Sequence, residues 1–240
     1  MKIKKHITAL ATAAALSATL PAVAQQSQHM APETMLSLAR VGASALSPDG
    51  KTVVYSVGFP SIKDNKIRTE LFTISSDGSA RRQITQGVAG VHGARWIQQG
   101  RRISYISSES GAPQVWTMAP DGTDRRQVTN IEGGLSDYLF SPDEKQLAYI
   151  KEISFGKSTK EIYPDLPKAT GRIVTDLMYK HWDEWVETIP HIFIAPVGGE
   201  AITGGKDILE GEPYEAPTKP FGGAEELSWS PDGKTLAYSS

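Results

Sequence analysis

Phe140-Ser141-Pro142-Asp143-Glu144-Lys145 runs into Leu147-Ala148-Tyr149-Ile150, and the chain returns to this phrase three more times. Trp229-Ser230-Pro231-Asp232-Gly233-Lys234 leads into Leu236-Ala237-Tyr238, and Leu46-Ser47-Pro48-Asp49-Gly50-Lys51 leads into Val53-Val54-Tyr55. A degraded copy is Trp96-Ile97-Gln98-Gln99-Gly100-Arg101 before Ile103-Ser104-Tyr105-Ile106. Pro is pre-set for the first central position of a type I turn, Asp suits the second, and Gly takes the left-handed residue that follows. Such a turn closes a tight antiparallel hairpin. The bulky apolar residue before it ends one strand, and the run after it begins the next. These second strands are almost continuously apolar, which predicts that both of their faces are covered.

A second phrase follows the first two copies. Leu71-Phe72-Thr73-Ile74 leads through Asp77-Gly78 to Arg81-Arg82-Gln83-Ile84-Thr85, and Val115-Trp116-Thr117-Met118 leads through Asp121-Gly122 to Arg125-Arg126-Gln127-Val128-Thr129. The offset is 44 residues throughout. Four strands per repeat of about 40–45 residues is the signature of a β-propeller blade. The expected fold is all-β, an incomplete propeller of about three and a half four-stranded blades. They fall at about 45–86, 91–129, 137–207 and 225–240, the last cut short. A blade buries both faces against neighbours, so a propeller is stable only as a closed ring of about four to eight blades. The expectation is that this chain is the N-terminal portion of something longer.

Before the repeats, Met1-Lys2-Ile3-Lys4-Lys5-His6 is a positive n-region, residues 7–20 are apolar and small, and Ala22-Val23-Ala24 fits the small-x-small cleavage rule. Residues 1–24 are expected to be a signal peptide, Gln25 the mature start, and the destination periplasmic or secreted. The apolar part is too short for a comfortable membrane span, so none is expected after cleavage. Loss of Lys2, Lys4 and Lys5 leaves 22 basic against 27 acidic residues, a mildly acidic chain without a nucleic-acid footprint. It has no cysteine, so an exported protein here draws its stability from core burial rather than disulfides. Pro32-Glu33-Thr34-Met35-Leu36-Ser37-Leu38 predicts a short helix with Pro in its first turn. The Arg81-Arg82 and Arg125-Arg126 pairs occupy equivalent repeat positions and are expected on solvated strand edges.

The third blade is interrupted between its second and third strands, over 151–190. Residues 155–170 are rich in Lys, Pro and Gly and predict a loop. Beyond them Val174, Met178, Trp182 and Trp185 share one helical stripe with Leu177 and Val186, opposite Asp176, Lys180, Asp183, Glu184 and Glu187. The expected helix, ended by Pro190, either packs its stripe on the propeller surface or caps an opening, with Trp182 and Trp185 shaping access. Residues 200–220 predict a Gly/Pro-rich linker, and Glu225-Glu226 then precedes the strand ending in Trp229. The first strand of a blade lies nearest the central channel. Adjacent carboxylates there either form a solvated turn or hold a cation such as a peptide's free amino terminus.

No Gly-x-Ser-x-Gly elbow occurs, and Gly42-Ala43-Ser44-Ala45-Leu46 lacks the last Gly. His29, His92, His181 and His191 show no metal-ligand spacing, the Asp-Gly pairs lack the alternating acids of a calcium loop, and there is no phosphate-cradling Gly loop. Neither a catalytic residue nor a metal or cofactor is expected within these residues.

The Ser-Pro-Asp-Gly-Lys repeats after an export signal resemble the propeller of the prolyl oligopeptidase family of serine peptidases, and also TolB-like periplasmic propellers. Tyr179-Lys180-His181-Trp182-Asp183-Glu184-Trp185 with His191-Ile192-Phe193, and Pro220-Phe221-Gly222-Gly223-Ala224-Glu225-Glu226-Leu227-Ser228-Trp229, resemble the dipeptidyl-peptidase V-like branch of that family. The resemblance implies a seven- or eight-bladed propeller stacked on a C-terminal α/β-hydrolase domain. It further implies release of dipeptides from peptide N-termini by a Ser-Asp-His triad, without a cofactor. That triad would lie beyond Ser240, so the chain alone is expected to be inactive, its propeller screening peptide substrates. In a related branch a Glu-Glu pair binds the peptide amine, and Glu225-Glu226 resembles it in type. The competing reading is a TolB-like propeller that binds an envelope partner without catalysis.

Overall fold

The computed structural model describes residues 30–174 and 180–240, so the expected leader and its cleavage site lie outside the described residues. The described chain is almost entirely β. After α1 (Pro32–Ser37), with Pro in its first turn, come three four-stranded antiparallel meanders and a hairpin. Sheet 1 is β1 (Arg40–Leu46), β2 (Thr52–Ser61), β3 (Lys66–Ser75) and β4 (Arg82–Gln83). Sheet 2 is β5 (His92–Ile97), β6 (Arg102–Ser107), β7 (Gln114–Met118) and β8 (Arg126–Gln127). Sheet 3 opens with β9 (Asp137–Phe140) and β10 (Gln146–Ser154). An inserted segment follows, carrying α2 (Thr159–Ile162), β11 (Lys180–His181) and β12 (Glu184–Trp185). Sheet 3 resumes as β13 (Thr188–Pro196) and β14 (Lys206–Asp207), and β15 (Leu227–Trp229) pairs with β16 (Leu236–Tyr238).

The three intact copies of the phrase fold alike. Gly50, Glu144 and Gly233 donate their amides to Ser47, Ser141 and Ser230 at 2.8–2.9 Å, and all three have positive φ. The serine hydroxyl donates to the turn aspartate at 2.6–2.7 Å and accepts the amide of Thr52, Gln146 or Thr235, at or just before the start of the next strand. Those serines hold Asp49, Asp143 and Asp232 below the usual carboxylate range, chiefly by that hydroxyl bond. In the degraded copy both Gln98 and Gln99 take left-handed φ.

Apolar layers alternate with the sheets. Val54 and Leu71 of sheet 1 pack against Ile103, Tyr105 and Met118 of sheet 2. Ile106 and Val115 on the other face of sheet 2 pack against Leu147 and Tyr149 of sheet 3, and Ile150 and Ile192 pack towards Leu227 of the hairpin. The second strand β6 is therefore buried on both faces over most of its length, and β10 over Leu147–Ile150. Indole nitrogens stitch the layers at equivalent positions: Trp96 donates to the Ala45 carbonyl at 3.0 Å and Trp229 to that of Leu139 at 3.3 Å.

The structure departs from the sequence expectations in four places. First, β1 begins at Arg40, ahead of residue 45, because Arg40 and Val41 pair with Gly58 and Val57 across a bulge. Second, residues 58–69, polar and turn-rich enough to predict a loop between the second and third strands of the first blade, are not a loop: β2 and β3 stay paired to Ser61↔Lys66, with Phe59 packed towards Phe72 at 6.3 Å. Third, the paired arginines are exposed at the sheet edge, as expected, but two of them are also engaged. Arg81 and Arg125 donate to the Tyr55 and Tyr105 hydroxyls at 3.0 and 2.9 Å and lie over Phe72 and Trp116.

The fourth departure is the inserted helix. Residues 175–179 lie outside the described residues, but Lys180–Trp185, where the helix was expected, form the β11–β12 hairpin, with Lys180 opposite Trp185 and His181 opposite Glu184. Trp182 sits at its turn with φ 54°. A stripe stabilises a helix only by being buried, and Trp182 is 73% exposed. Among the described residues the helix of this segment is instead the single turn α2, inside what reads as a loop, closed by a reciprocal Ser158–Glu161 capping box.

Candidate functional site

In an antiparallel meander, the segment entering the first strand and the connection between the second and third strands lie at the same end of the sheet. The inserted segment and the approach to β15 therefore share one end of the molecule, opposite the Ser-Pro-Asp turns. They also touch. Trp182 at the hairpin tip meets Phe221 edge-to-face at 5.6 Å, and both rings are largely exposed. Beneath them a groove of about 390 Å³ runs between His181–Glu184 on one side and Pro217, Lys219 and Pro220 on the other. Glu152, at the root of the insertion, bridges this groove to Lys219 at 3.0 Å.

Glu225 and Glu226 lie one turn further along, in a short 3₁₀ turn (Ala224–Glu226). Their environments differ. Glu226 is half-buried and accepts from the Thr218 amide at 3.1 Å and from the Ser239 hydroxyl, so it fastens its own loop. Glu225 is exposed. The Ala224 amide donates to Asp137 at 2.9 Å, and the other oxygen of Asp137 is 3.4 Å from Arg95. Asp137 thus links the first strand of sheet 2 to the entry of the hairpin. Counting back from Phe140 and Trp229, Asp137 and Glu226 occupy the same repeat position, a signal in the sequence that points to Asp137.

Trp185 stands apart from Trp182. Arg172 and Lys180 each lie 4.6 Å from its ring, and it lines a second hollow, of about 540 Å³, with Phe155 and Ile173. The structure therefore joins Trp182 to the Pro220–Glu226 stretch and assigns Trp185 to a different cavity.

His191 is fully buried, with Nδ1 2.9 Å from Asp207 and no polar partner for Nε2. A His–Asp pair suggests a base, but this one has no hydroxyl to activate. Its repeat position explains it. Glu70 and Gln114 stand at the same point of their sheets, equally buried, and bind the start of the loop beyond the fourth strand. Glu70 accepts from Thr85 and from the Gly87 amide at 2.7 Å each. Gln114 accepts from Thr129 at 2.7 Å and exchanges two bonds with Ile131. His191 stands at the same point but bonds Asp207 within the fourth strand, and it is Asp207 that accepts the Leu209 amide of the following loop at 2.9 Å. Chemically, this end of the molecule offers binding: carboxylates, exposed aromatics and a groove.

No family model matches the chain. It is 61% identical over 213 residues to a protein named dipeptidyl-peptidase 5 from Porphyromonas gingivalis, covering 89% of this chain and 31% of that one. A dipeptidyl-peptidase 5 from Porphyromonas endodontalis is 48% identical over 215 residues, covering 90% and 31%. The chain thus spans about a third of the length of the curated relatives it matches. Among solved structures, an acylaminoacyl peptidase in complex with Z-Gly-Gly-Phe-chloromethyl ketone superposes with a TM-score of 0.52 at 12% identity, over 70% of this chain and 25% of that one. The AtxE2 isopeptidase superposes with a TM-score of 0.51 at 16% identity, over 74% and 32%. At such identities the structural likeness speaks to the fold alone.

Proposed function

We propose that this chain belongs to the dipeptidyl-peptidase V-like branch of the prolyl oligopeptidase family of serine peptidases and is the N-terminal propeller portion of an exported exopeptidase releasing dipeptides from peptide N-termini. The observation that carries the proposal is the 61% identity over 213 residues to a dipeptidyl-peptidase 5. In this reading the three sheets and the hairpin are successive blades of a ring that closes with further blades, and an α/β-hydrolase domain beyond residue 240 supplies the Ser-Asp-His chemistry. The residues described here bind and screen. Trp182 and Phe221 narrow the groove at the insertion end, and Glu225, exposed beside the fastened Glu226, receives the peptide ammonium.

The experiment is hydrolysis of dipeptidyl chromogenic substrates by the full-length product of the coding sequence. The expected result is release of the N-terminal dipeptide, inhibition by serine-directed phosphonates, and no turnover by residues 25–240 alone. In the full-length enzyme Glu225→Gln raises KM for free-amine substrates and leaves N-acetylated ones unaffected. A full-length product without dipeptidyl activity refutes the function, and unchanged KM in Glu225→Gln removes that residue from the site.

A further inference from the structure

The Ala224–Glu226 turn is held from both sides. Its cap position is Gly223, which has no side chain to satisfy the first amide of the turn. Asp137 does so from the preceding sheet. Its Oδ2 accepts the Ala224 amide at 2.9 Å, while Oδ1 accepts the Tyr138 amide at 2.8 Å and faces Arg95 at 3.4 Å. On the far side the Thr218 amide and the Ser239 hydroxyl fix Glu226. Glu225 is therefore an exposed carboxylate between two pinned neighbours.

This cap is not part of the repeat. The residues three before Leu46 and Trp96 are Ala43 and Gly93, and neither has a side chain that accepts a hydrogen bond. A device for joining successive sheets would recur, as the indole bonds of Trp96 and Trp229 do. Asp137 instead stands only in the sheet that precedes the two glutamates.

Gly223 gives a second, independent indication. With φ −152° and ψ −156° it is extended backbone open to any residue. A methyl group there would have as its nearest neighbours Glu225 Oε2 at 2.7 Å and Asp137 Oδ2 at 3.3 Å. At Gly222, by contrast, a methyl group would stand 2.5 Å from the Thr218 carbonyl oxygen. Backbone packing thus calls for glycine at 222. At 223 the call comes from the Glu225 carboxylate, which folds back over the glycine towards Asp137.

Resting on the reading of Glu225 as the group that receives the peptide ammonium, we propose that Asp137 and Gly223 are the positioning residues of that subsite. Asp137 fixes the backbone that carries Glu225, and Gly223 leaves room for its carboxylate. Neither touches the substrate, and both act through Glu225.

The test is steady-state kinetics of the full-length enzyme on free-amine dipeptidyl substrates, with Asp137→Ala and Gly223→Ala each made alone and together with Glu225→Gln. Each single variant raises KM about tenfold and leaves kcat within about twofold, the loss of one well-aimed bond to the ammonium. In the Glu225→Gln background neither adds more than about twofold, because the carboxylate they aim is gone. A merely structural contribution would add there in full. Gly223→Ala also separates aim from folding. Its methyl group meets the movable end of a side chain, so the folded-to-unfolded ratio in urea stays within about threefold of the parent. An unchanged KM in either variant while Glu225→Gln raises it, or full additivity with Glu225→Gln, overturns this inference and leaves the amine subsite standing. An unchanged KM in Glu225→Gln overturns the subsite and the inference together, and so does a full-length product without dipeptidyl activity.

Discussion

Gln114→Glu changes one atom and asks whether the buried latch works as its geometry implies. Gln114 is 2% exposed, and its Oε1 accepts from Thr129 at 2.7 Å and from the Ile131 amide at 3.0 Å, while Nε2 donates to the Ile131 carbonyl at 2.7 Å. A glutamate keeps the two accepted bonds and turns the third against a carbonyl oxygen. Sheet 1 carries Glu70 at this position, but there Arg68 supplies a cation at 2.6 Å. The residue two before Gln114 is Ala112, so the new carboxylate has no cation of its own. An unpaired buried charge of this kind costs about 3–5 kcal/mol at pH 7.5. The penalty carries a sign in pH. Burial raises the folded-state pKa above the unfolded value, so the loss is absent below the unfolded pKa and grows as pH rises towards the folded one. Near pH 4 the protonated carboxyl donates to Ile131 as the amide did. Urea unfolding at pH 4 and 7.5 reads this out, and Ala112→Arg added to Gln114→Glu recovers part of the loss at the higher pH only. A variant within about 1 kcal/mol of the parent at pH 7.5, or a loss that does not vary with pH, would refute the reasoning.

Tyr138→Phe removes a fully buried hydroxyl that sits 2.9 Å from the Gly93 carbonyl and 2.8 Å from the Ser104 hydroxyl, and lowers stability by about 1–3 kcal/mol in urea unfolding. Trp229→Phe keeps most of the packing but loses the bond to the Leu139 carbonyl, costing about 1 kcal/mol; thermal melting checks it against Trp96→Phe, which loses its counterpart on Ala45. Asp49, Asp143 and Asp232 have lowered pKa values, so their contribution is present above the ordinary value of 3.8 and is lost as pH falls through their lower folded values. Replacing all three with Asn flattens the acid limb of a stability–pH curve below pH 3.8; an unchanged limb would contradict the assignment.

The repeats were legible because they are written in turn chemistry. Pro48, Pro142 and Pro231 each precede an aspartate, and a preceding serine locks both ends of the turn, so local residues alone specify the hairpin and its register. The hairpin in turn decides which side chains of the next strand face which neighbour. Where the turn residues are degraded, at Gln98 and Gln99, the flanking Trp96 and the Ile103–Ile106 run still carry the pattern. Sequence alone could not find bonds between repeats that depend on alignment in space. Glu70 and Gln114 fall one residue before the aligned Leu71 and Val115, but their bonds to the loop beyond the fourth strand, and the equivalence of His191, emerge only when the third strands are superimposed through Phe72, Trp116 and Phe193, each paired to the fourth strand.

The insertion shows the opposite case, a pattern that was present but answered a different question. Val174, Trp182 and Trp185 do fall on a helical period, yet period describes only which residues would share a face if a helix formed. A helix of this length is marginal in water unless that face is buried, and the available neighbour is the exposed Phe221, which offers one ring rather than a surface. A two-residue turn at Trp182-Asp183 instead lets Lys180 reach the Trp185 ring across the hairpin and leaves Trp182 free to meet Phe221. The consequence for the candidate site is specific. As a helix, the segment would have carried both tryptophans on one stripe. As a hairpin it sends one to the groove beside Glu152 and Lys219 and the other to the hollow beside Arg172. The two substitutions therefore separate: Trp182→Ala in the full-length enzyme changes KM for peptides longer than the dipeptidyl chromogens, and Trp185→Ala does not. Equal effects from both would mean that the hairpin does not set access to the groove.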